Sequence, residues 1–561
     1  MFSSDGSIGV VFNGEIFNHI ELRHQLAALG YQFKTSHSDT EVLVYLYQHY
    51  GDEFLHHING FFGMALWDRP KQKLLLARDR AGIKPLFYTQ NNQQVIFGSE
   101  IKAIFKHPAV SKTPNFKALH HYFSFKNVPA PMTAFEGIEQ LRPGEMAVFE
   151  SGDLKTKRWW QLDFNENPDI TETEASSHIR DLLEDSVRLR MRSDVPVGAY
   201  LSGGVDSSAV VALMSQQGEG NVKTFSLVYD ENFANKNADR KFARQMAEIF
   251  ETEHFEYTLG HQEVLDSIDA VTDAFDEPFS GVTSTYFLTR LIAKEVKVAL
   301  SGDGADELFA SYLPHRLAQP MHHYAEVRPR RDSLTPQELE LLTPFDKDLS
   351  KLEELTQLGG EAEWRMALYL QDDESKALMY SAKMRDHVGS TSTQSLIKDV
   401  LKRTKTKDPL NRILQLDFET MLADQVLPFV DRLSMAHSVE VRPPFLDYRL
   451  MEFSATLPGW MKIKNGRVKS ILKDALQGLL PDEILARPKE GFVLPINDWL
   501  ILNYKDYVLD LLSPSRLKKH DLFDSQVIQQ FIDSHYDRSK NYGPRLWNLM
   551  MFQLWWEKHF D

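Results

Sequence analysis

An apolar run from Val195 to Leu201 passes directly into Ser202-Gly203-Gly204-Val205-Asp206-Ser207-Ser208 and then into the helical stretch Ala209 to Met214. A strand that turns through glycines straight into a helix opens a βα unit, which commits this part of the chain to a parallel sheet with crossover helices. The arrangement returns where Val296 to Leu300 runs into Ser301-Gly302-Asp303-Gly304-Ala305-Asp306-Glu307, and Thr224 to Val228 is a further buried-strand run. Open α/β sheets bind ligands beyond the carboxyl ends of their strands, so both turns are expected to face one ligand.

The turn chemistry narrows that ligand. Glycines admit close approach of backbone, a helix start leaves N–H groups unpaired, and serine hydroxyls add donors, which together make a phosphate-binding nest. Asp206 would repel phosphates unless a cation lay between, so magnesium on oxygen ligands is implied, with Asp306 joining Asp206 at the metal. The G-x-x-x-x-G-K-[ST] motif is absent, which excludes a Walker-type nucleotidase. A capped strand-to-helix turn is the plainer reading of a bare Gly-Gly, and solvated first-turn acids the plainer reading of Asp303 and Glu307. Two such nests in one chain favour the site reading.

The first 150 residues have a different period. Short β runs at Ile8 to Ile16, Phe61 to Trp67, Leu74 to Arg78, Pro85 to Tyr88 and Val95 to Gly98 are interrupted by two helices. One helix spans His19 to Leu29, and the other starts at a capping box, Ser38-Asp39-Thr40-Glu41. This half reads α+β. Apolar periodicity lapses between Ser151 and Glu172, and a second capping box at Thr171 and Glu174 opens the next helix. The expected division is 1–150, a linker at 151–172, and 173–561, helical beyond about residue 335.

The strings SGGVDSS and SGDGADELF, with Asp431-Arg432-Leu433-Ser434-Met435-Ala436, Glu440-Val441-Arg442-Pro443-Pro444-Phe445-Leu446-Asp447 and Arg487-Pro488-Lys489-Glu490-Gly491-Phe492, together resemble the glutamine-hydrolysing asparagine synthetase family. The N-terminal half resembles its glutaminase domain in Asn13-Gly14-Glu15-Ile16-Phe17-Asn18, in Ser38 to Glu41 and in Arg78-Asp79-Arg80-Ala81-Gly82-Ile83-Lys84-Pro85-Leu86. The fold class implied is α/β plus α+β. A partial N-terminal-nucleophile glutaminase of class II amidotransferase type would precede a pyrophosphatase-loop synthetase, like the adenine nucleotide α-hydrolases, with a helical C-terminal part.

The resemblance implies conversion of aspartate to asparagine through a β-aspartyl-AMP intermediate, with ATP and Mg2+ as cofactors and glutamine or ammonia as nitrogen source. Ser202, Gly203, Gly204, Asp206 and Ser207 would bind ATP, the Leu227 backbone adenine, and Ser301 and Gly302 the nucleotide. Asp303 would lie beside the acyl-adenylate, while Lys469 and Lys489 would stabilise charge on phosphate or on the attacked carbonyl. Asn13 and Gly14 would donate to the glutamine oxyanion within a pocket that includes Glu15, and Asp39 would hold the amino group. Arg442 and Asp447 read as a structural ion pair, and His322-His323 as a helix-surface pair.

This sequence departs from the family at several points. It contains no cysteine, which removes the family's nucleophile along with disulfides and thiolate metal sites. The Asn-Gly-Glu strand also follows Met1 almost at once, so an N-terminal truncation, a misassigned start and an ammonia-only enzyme are the alternatives. Phe309-Ala310-Ser311-Tyr312 stands where the family usually has paired glycines, Val228 replaces a glycine, and the segment after Asp276-Glu277-Pro278-Phe279 is shorter than usual, so amidation of another carboxylate in glycan or secondary metabolism remains the runner-up. An interaction protein derived from the ligase is disfavoured by retention of Asp206 and Asp306. Sixty-three basic against 79 acidic residues give 63 − 79 = −16, which argues against extended nucleic-acid binding and against a tRNA-modifying enzyme. Without a signal-peptide pattern or a bilayer-length apolar run, a cytoplasmic location is expected, with a homodimer as the candidate assembly.

Overall fold

The computed structural model describes residues 1–91, 94–218, 221–229, 236–342, 350–487 and 494–561. In the N-terminal half, β1 (Ile8–Ile16), β2 (Gly60–Asp68), β3 (Lys73–Arg78), β4 (Phe87–Asn91), β5 (Gln94–Gly98), β6 (Glu139–Gln140), β7 (Glu145–Glu150) and β8 (Asp153–Arg158) form two antiparallel sheets, ordered β1-β2-β3-β7-β8 and β5-β4-β6. Ala65, Leu76 and Ala147 of the larger sheet pack with Tyr88 of the smaller. Phe62, Met64 and Leu66 on the other face of β2 pack with Val42, Leu43 and Leu46 of helix Thr40–Tyr50. Burial on both faces is why β2 reads as an uninterrupted apolar run rather than alternating.

Three local expectations change. β4 begins at Phe87, after Pro85, which has no N–H to give a ladder. β8 occupies part of the span expected to be linker, and its nearly continuous exposure hides the apolar alternation that would have marked it. In the first capping box Ser38 Oγ does accept from Glu41 N at 3.3 Å, but the Glu41 carboxylate turns to Lys34 N (2.7 Å) and Thr35 N (2.9 Å). The Thr171–Glu174 box forms in both directions.

The C-terminal half is built on β9 (Val197–Tyr200), β10 (Lys223–Tyr229), β11 (Glu253–Leu259), β12 (Val298–Leu300) and β13 (Glu440–Arg442), all parallel, in the order β11-β10-β9-β12-β13. The chain moves outward from β9 through β10 to β11, then returns to the other side of β9 at β12. Strand order therefore reverses between β9 and β12, the point at which such sheets leave a crevice. Helices predominate beyond residue 335, and the C-terminal helix Gly543–Phe560 buries Trp547, Phe552 and Trp555. No helix among the described residues is long and apolar enough to cross a membrane.

The Arg78–Leu86 string is a structural knot. The Asp79 carboxylate accepts from the backbone N–H of Phe62, Ala81, Gly82, Ile83 and Lys84 at 2.7–3.1 Å. Arg78 donates to the carbonyls of Gly82, Lys84 and Leu141, and Arg80 lies over the rings of Trp159 and Tyr448. The turn so fixed delivers buried Lys84 to Asp431 of the other half at 2.6 Å.

Candidate active site

Both glycine turns emerge side by side from β9 and β12. A side chain at Gly302 would bring its Cβ within 2.8 Å of Asp206 Cβ and 2.9 Å of Ser207 N, so only glycine lets the second turn lie against the first. Gly203 has φ +70°, and backbone of helix Lys236–Ile249 closes over it: a Cβ at this position would stand 2.5 Å from Ala243 N. Within the first turn Ser202 Oγ and Ser207 Oγ lie 3.0 Å apart, and Gly204 N donates to Ser202 Oγ at 3.3 Å. Ser301 Oγ donates to Asp303 Oδ2 at 2.6 Å, and Ser301 N donates to the Arg442 carbonyl at 3.2 Å.

The two turns converge on one cation. Lys469 Nζ lies 2.6 Å from Asp206 Oδ2 and also pairs with Asp306 Oδ1, with the lysine only 3% exposed. Lys469 sits in the left-handed region (φ 53°, ψ 34°), and its N–H donates to the Ala310 carbonyl at 3.1 Å. Ala310 itself has φ 66° and ψ 120°. Two non-glycine residues at positive φ, joined by a hydrogen bond, mark stored backbone strain beside the reacting groups.

Behind this floor Ser311 Oγ donates to Asp306, and His315 Nδ1 accepts from Ser311 N (3.1 Å) and Tyr312 N (3.3 Å). With Nδ1 accepting, the ring proton is on Nε2, which faces Asp417 Oδ2 at 3.0 Å; Asp417 in turn holds Arg365 at 2.5 Å. Glu307 is buried, not solvated, and accepts from Tyr312 OH at 2.9 Å. Burial, reinforced by the charge of Asp306, pushes its carboxyl up to about 8.

The resulting cleft is lined by Ser202, Asp206, Ser207, Leu227, Ser301, Gly302, Asp303 and Asp306 among the expected residues, with Glu307, Tyr312, Asp239 and Arg240 added. Lys469 reaches it through its two aspartates. Lys489 lies outside the described residues. Among those residues no cluster of three or more His, Cys, Asp or Glu could hold a metal by itself. Two converging hard-oxygen carboxylates do suit Mg2+ if nucleotide phosphates complete its shell, the usual way that ion is held.

On β1, Asn13 Nδ2 donates to Ser99 Oγ at 3.1 Å, and a Cβ at Gly14 would stand 2.1 Å from the Phe61 carbonyl. The Asp39 carboxylate caps its helix through Thr40 N (2.5 Å) and accepts from Ile16 N (3.1 Å), so it is brought to the end of the same strand. Glu15 faces the other half, with Arg442 Nη2 at 3.5 Å; burial is the main cause that pushes its carboxyl up to about 7, against the pull of Arg442. Arg442 and Asp447 do not form the expected pair. Arg442 binds Glu440 and Glu15, while Asp447 binds Arg190 (3.0 Å) and Arg449 (2.9 Å), because the Pro443-Pro444 turn separates the two side chains.

The asparagine synthase family matches residues 178–557, and the glutamine amidotransferase domain family matches residues 1–160. The chain belongs to the asparagine synthase family. Asparagine synthetase [glutamine-hydrolyzing] 1 of Bacillus subtilis is 30% identical over 98% of this chain and 85% of its own length. Asparagine synthetase [glutamine-hydrolyzing] 3 of the same organism is 32% identical over 94% of this chain and 82% of its own. The amidase chry2 of Gibberella zeae is 26% identical over 96% of this chain and 85% of its own. As a member of the asparagine synthase family the chain is a carbon–nitrogen ligase. Sequence reasoning missed His315 and singled out Tyr312 and Arg487 only as members of their strings; Arg487 Nη1 donates to the Ser202 carbonyl at 3.4 Å while Nη2 pairs with Asp239. Arg487 opens the R-P-K-E-G-F string, so attention to its first residue as well as its lysine was the available signal.

Proposed function

We propose that this chain uses ATP to adenylate the β-carboxylate of aspartate and that ammonia then displaces AMP to give asparagine. The observation carrying this reading is the convergence of both glycine turns, through Asp206 and Asp306, on buried Lys469. The turn backbone and the Ser202 and Ser207 hydroxyls would cradle phosphate, and the Leu227 backbone on β10 would meet the adenine. Mg2+, held by Asp206 and Asp306, would offset phosphate charge. Lys469 would then be released from its carboxylates toward charge developing at the α-phosphate, an electrostatic role that lysine suits as a point charge. Asp303, fixed by Ser301, would orient the incoming amine, and Lys489 would add a second cation.

On this reading residues 1–150 are a class II amidotransferase-type domain, 151–172 the connection and 173–561 the synthetase, acting on small molecules in the cytoplasm, with a homodimer as the candidate assembly. Asn13, Gly14, Glu15 and Asp39 would still form a glutamine pocket, but the absence of any cysteine leaves no thiolate to open the amide, so ammonia is the nitrogen source for these 561 residues. The alternative, amidation of another carboxylate, is favoured by Ala310 and Ser311 behind the cleft, where they hold Lys469 and Asp306 and a single altered polar contact redirects specificity.

The test is exchange of labelled pyrophosphate into ATP with aspartate, glutamate and sugar acids offered in turn, followed by product analysis with ammonium. AMP and pyrophosphate from aspartate and ammonium are expected, and Asp206→Ala should abolish pyrophosphate release. Exchange with a sugar acid but not aspartate would move the protein to the alternative, and full activity of Asp206→Ala would overturn the loop assignment.

A further inference from the structure

A second cavity, of about 410 Å3, shares Tyr312 with the catalytic cleft. Its described lining carries two cations, Lys126 and Arg365, and no carboxylate. Arg365 is 2% exposed and spends Nη2 on Asp417, yet its buried Nε finds no acceptor among the described residues. Lys126 is held rigidly at its backbone: it caps helix Phe116–Phe125 at φ 71°, its N–H donates to the Tyr122 carbonyl at 2.8 Å, and its carbonyl accepts from Ser280 N at 3.0 Å. A lysine in the left-handed region costs about 1 kcal/mol relative to glycine, and its ammonium has no ion pair among the described residues. Burial alone holds that ammonium below the ordinary lysine range.

A cavity with two donors lacking acceptors and no acid of its own is built for an anion, since burying a carboxylate requires a partner charge. We propose that this cavity takes the acidic group of the acceptor that does not react, with Lys126 as its counter-ion and Arg365 Nε as a second donor. The proposal rests on the ligase reading of the adjoining cleft. It makes Lys126 a specificity residue that separates dicarboxylates from monocarboxylates, and the volume admits acceptors longer than aspartate.

Two measurements on the full chain separate this proposal from that reading. Thermal stabilisation by succinate needs no chemistry: succinate should stabilise the wild type and Lys126→Arg, propionate should not, and Lys126→Met should bind succinate at least tenfold more weakly. In the pyrophosphate exchange assay Lys126→Met should raise the KM for the acceptor at least tenfold and leave the KM for ATP unchanged. Equal succinate affinity in wild type and Lys126→Met, or an equal rise in the KM for ATP, would overturn the proposal. Succinate binding that depends on Lys126 in a protein without exchange would sink the ligase reading and keep the anion subsite.

Discussion

Replacing Lys469 by methionine keeps the length of the side chain and removes the charge that, among the described residues, Asp206 and Asp306 share. Removing one partner of a buried ion pair costs about 3–5 kcal/mol, because the remaining charge stays uncompensated. Here the aspartate side chains keep 15% and 11% of their exposure, so water screens part of the uncompensated charge. The expected destabilisation is therefore about 2–4 kcal/mol at pH 7. Differential scanning fluorimetry without nucleotide reads it directly. Millimolar Mg2+ should restore most of the lost stability in Lys469→Met and add little to the wild type, whose ammonium already occupies the place between the two carboxylates. A variant as stable as wild type at pH 7, or one indifferent to Mg2+, would refute the claim that these carboxylates form a cation site.

Glu307, whose carboxyl is raised to about 8, stays protonated in the folded state while its unfolded counterpart ionises near 4.5. The folded state holds the extra proton across that window, so stability falls as pH rises from 4.5 to 8. Glu307→Gln should remove this slope, leaving the variant more stable than wild type at pH 8.5 and indistinguishable at pH 5 by urea melts. Ala310→Gly relieves a strained positive-φ residue at a cost of some unfolded-state entropy; a net gain of about 1 kcal/mol is expected, and a loss would show that the alanine methyl packs productively. Purified Met1–Asp561 should release no glutamate from glutamine above background, and sustained release would reveal a nucleophile other than cysteine.

The site was readable wherever backbone chemistry is written locally. The two turns after β9 and β12, with their glycines and acids, could be found because a strand-to-helix turn needs those residue types at those places, and the sheet's switch point then sets them side by side. β13 was not readable, because Glu440-Val441-Arg442 has no apolar alternation and becomes a strand only by pairing with β12. The burial of Glu307 was hidden for a similar reason. A first-turn acid looks solvated until Tyr312 closes over it. Arg442 and Asp447, in one motif, suggested a mutual pair, yet each binds a charge two residues away, Glu440 and Arg449, and one hundreds of residues away, Glu15 and Arg190, the last two of which no local spacing encodes.

The N-terminal half matters to the ligase even without a thiol, because it completes the synthetase's own motifs. Lys84, delivered by the Asp79 knot and 3% exposed, is the counter-ion of Asp431, the first residue of the D-R-L-S-M-A string, and Asn59 donates to Asp447 at 2.9 Å. Lys84→Met would strand a buried carboxylate on the helix Leu427–Met435 that also carries Arg432 and Leu433, at a cost of about 3 kcal/mol, and should lower both thermal stability and pyrophosphate exchange. Asp431→Leu alone leaves a buried ammonium and should cost a similar amount. The double variant removes both charges, and replacing a buried pair by apolar groups is close to neutral. Its stability should therefore lie well above the sum of the two single losses, by about 2 kcal/mol or more in a double-mutant cycle. Additive losses would mean that Lys84 and Asp431 act separately, and that the two halves are held together by their other contacts, Glu15–Arg442 and Asn59–Asp447 among them.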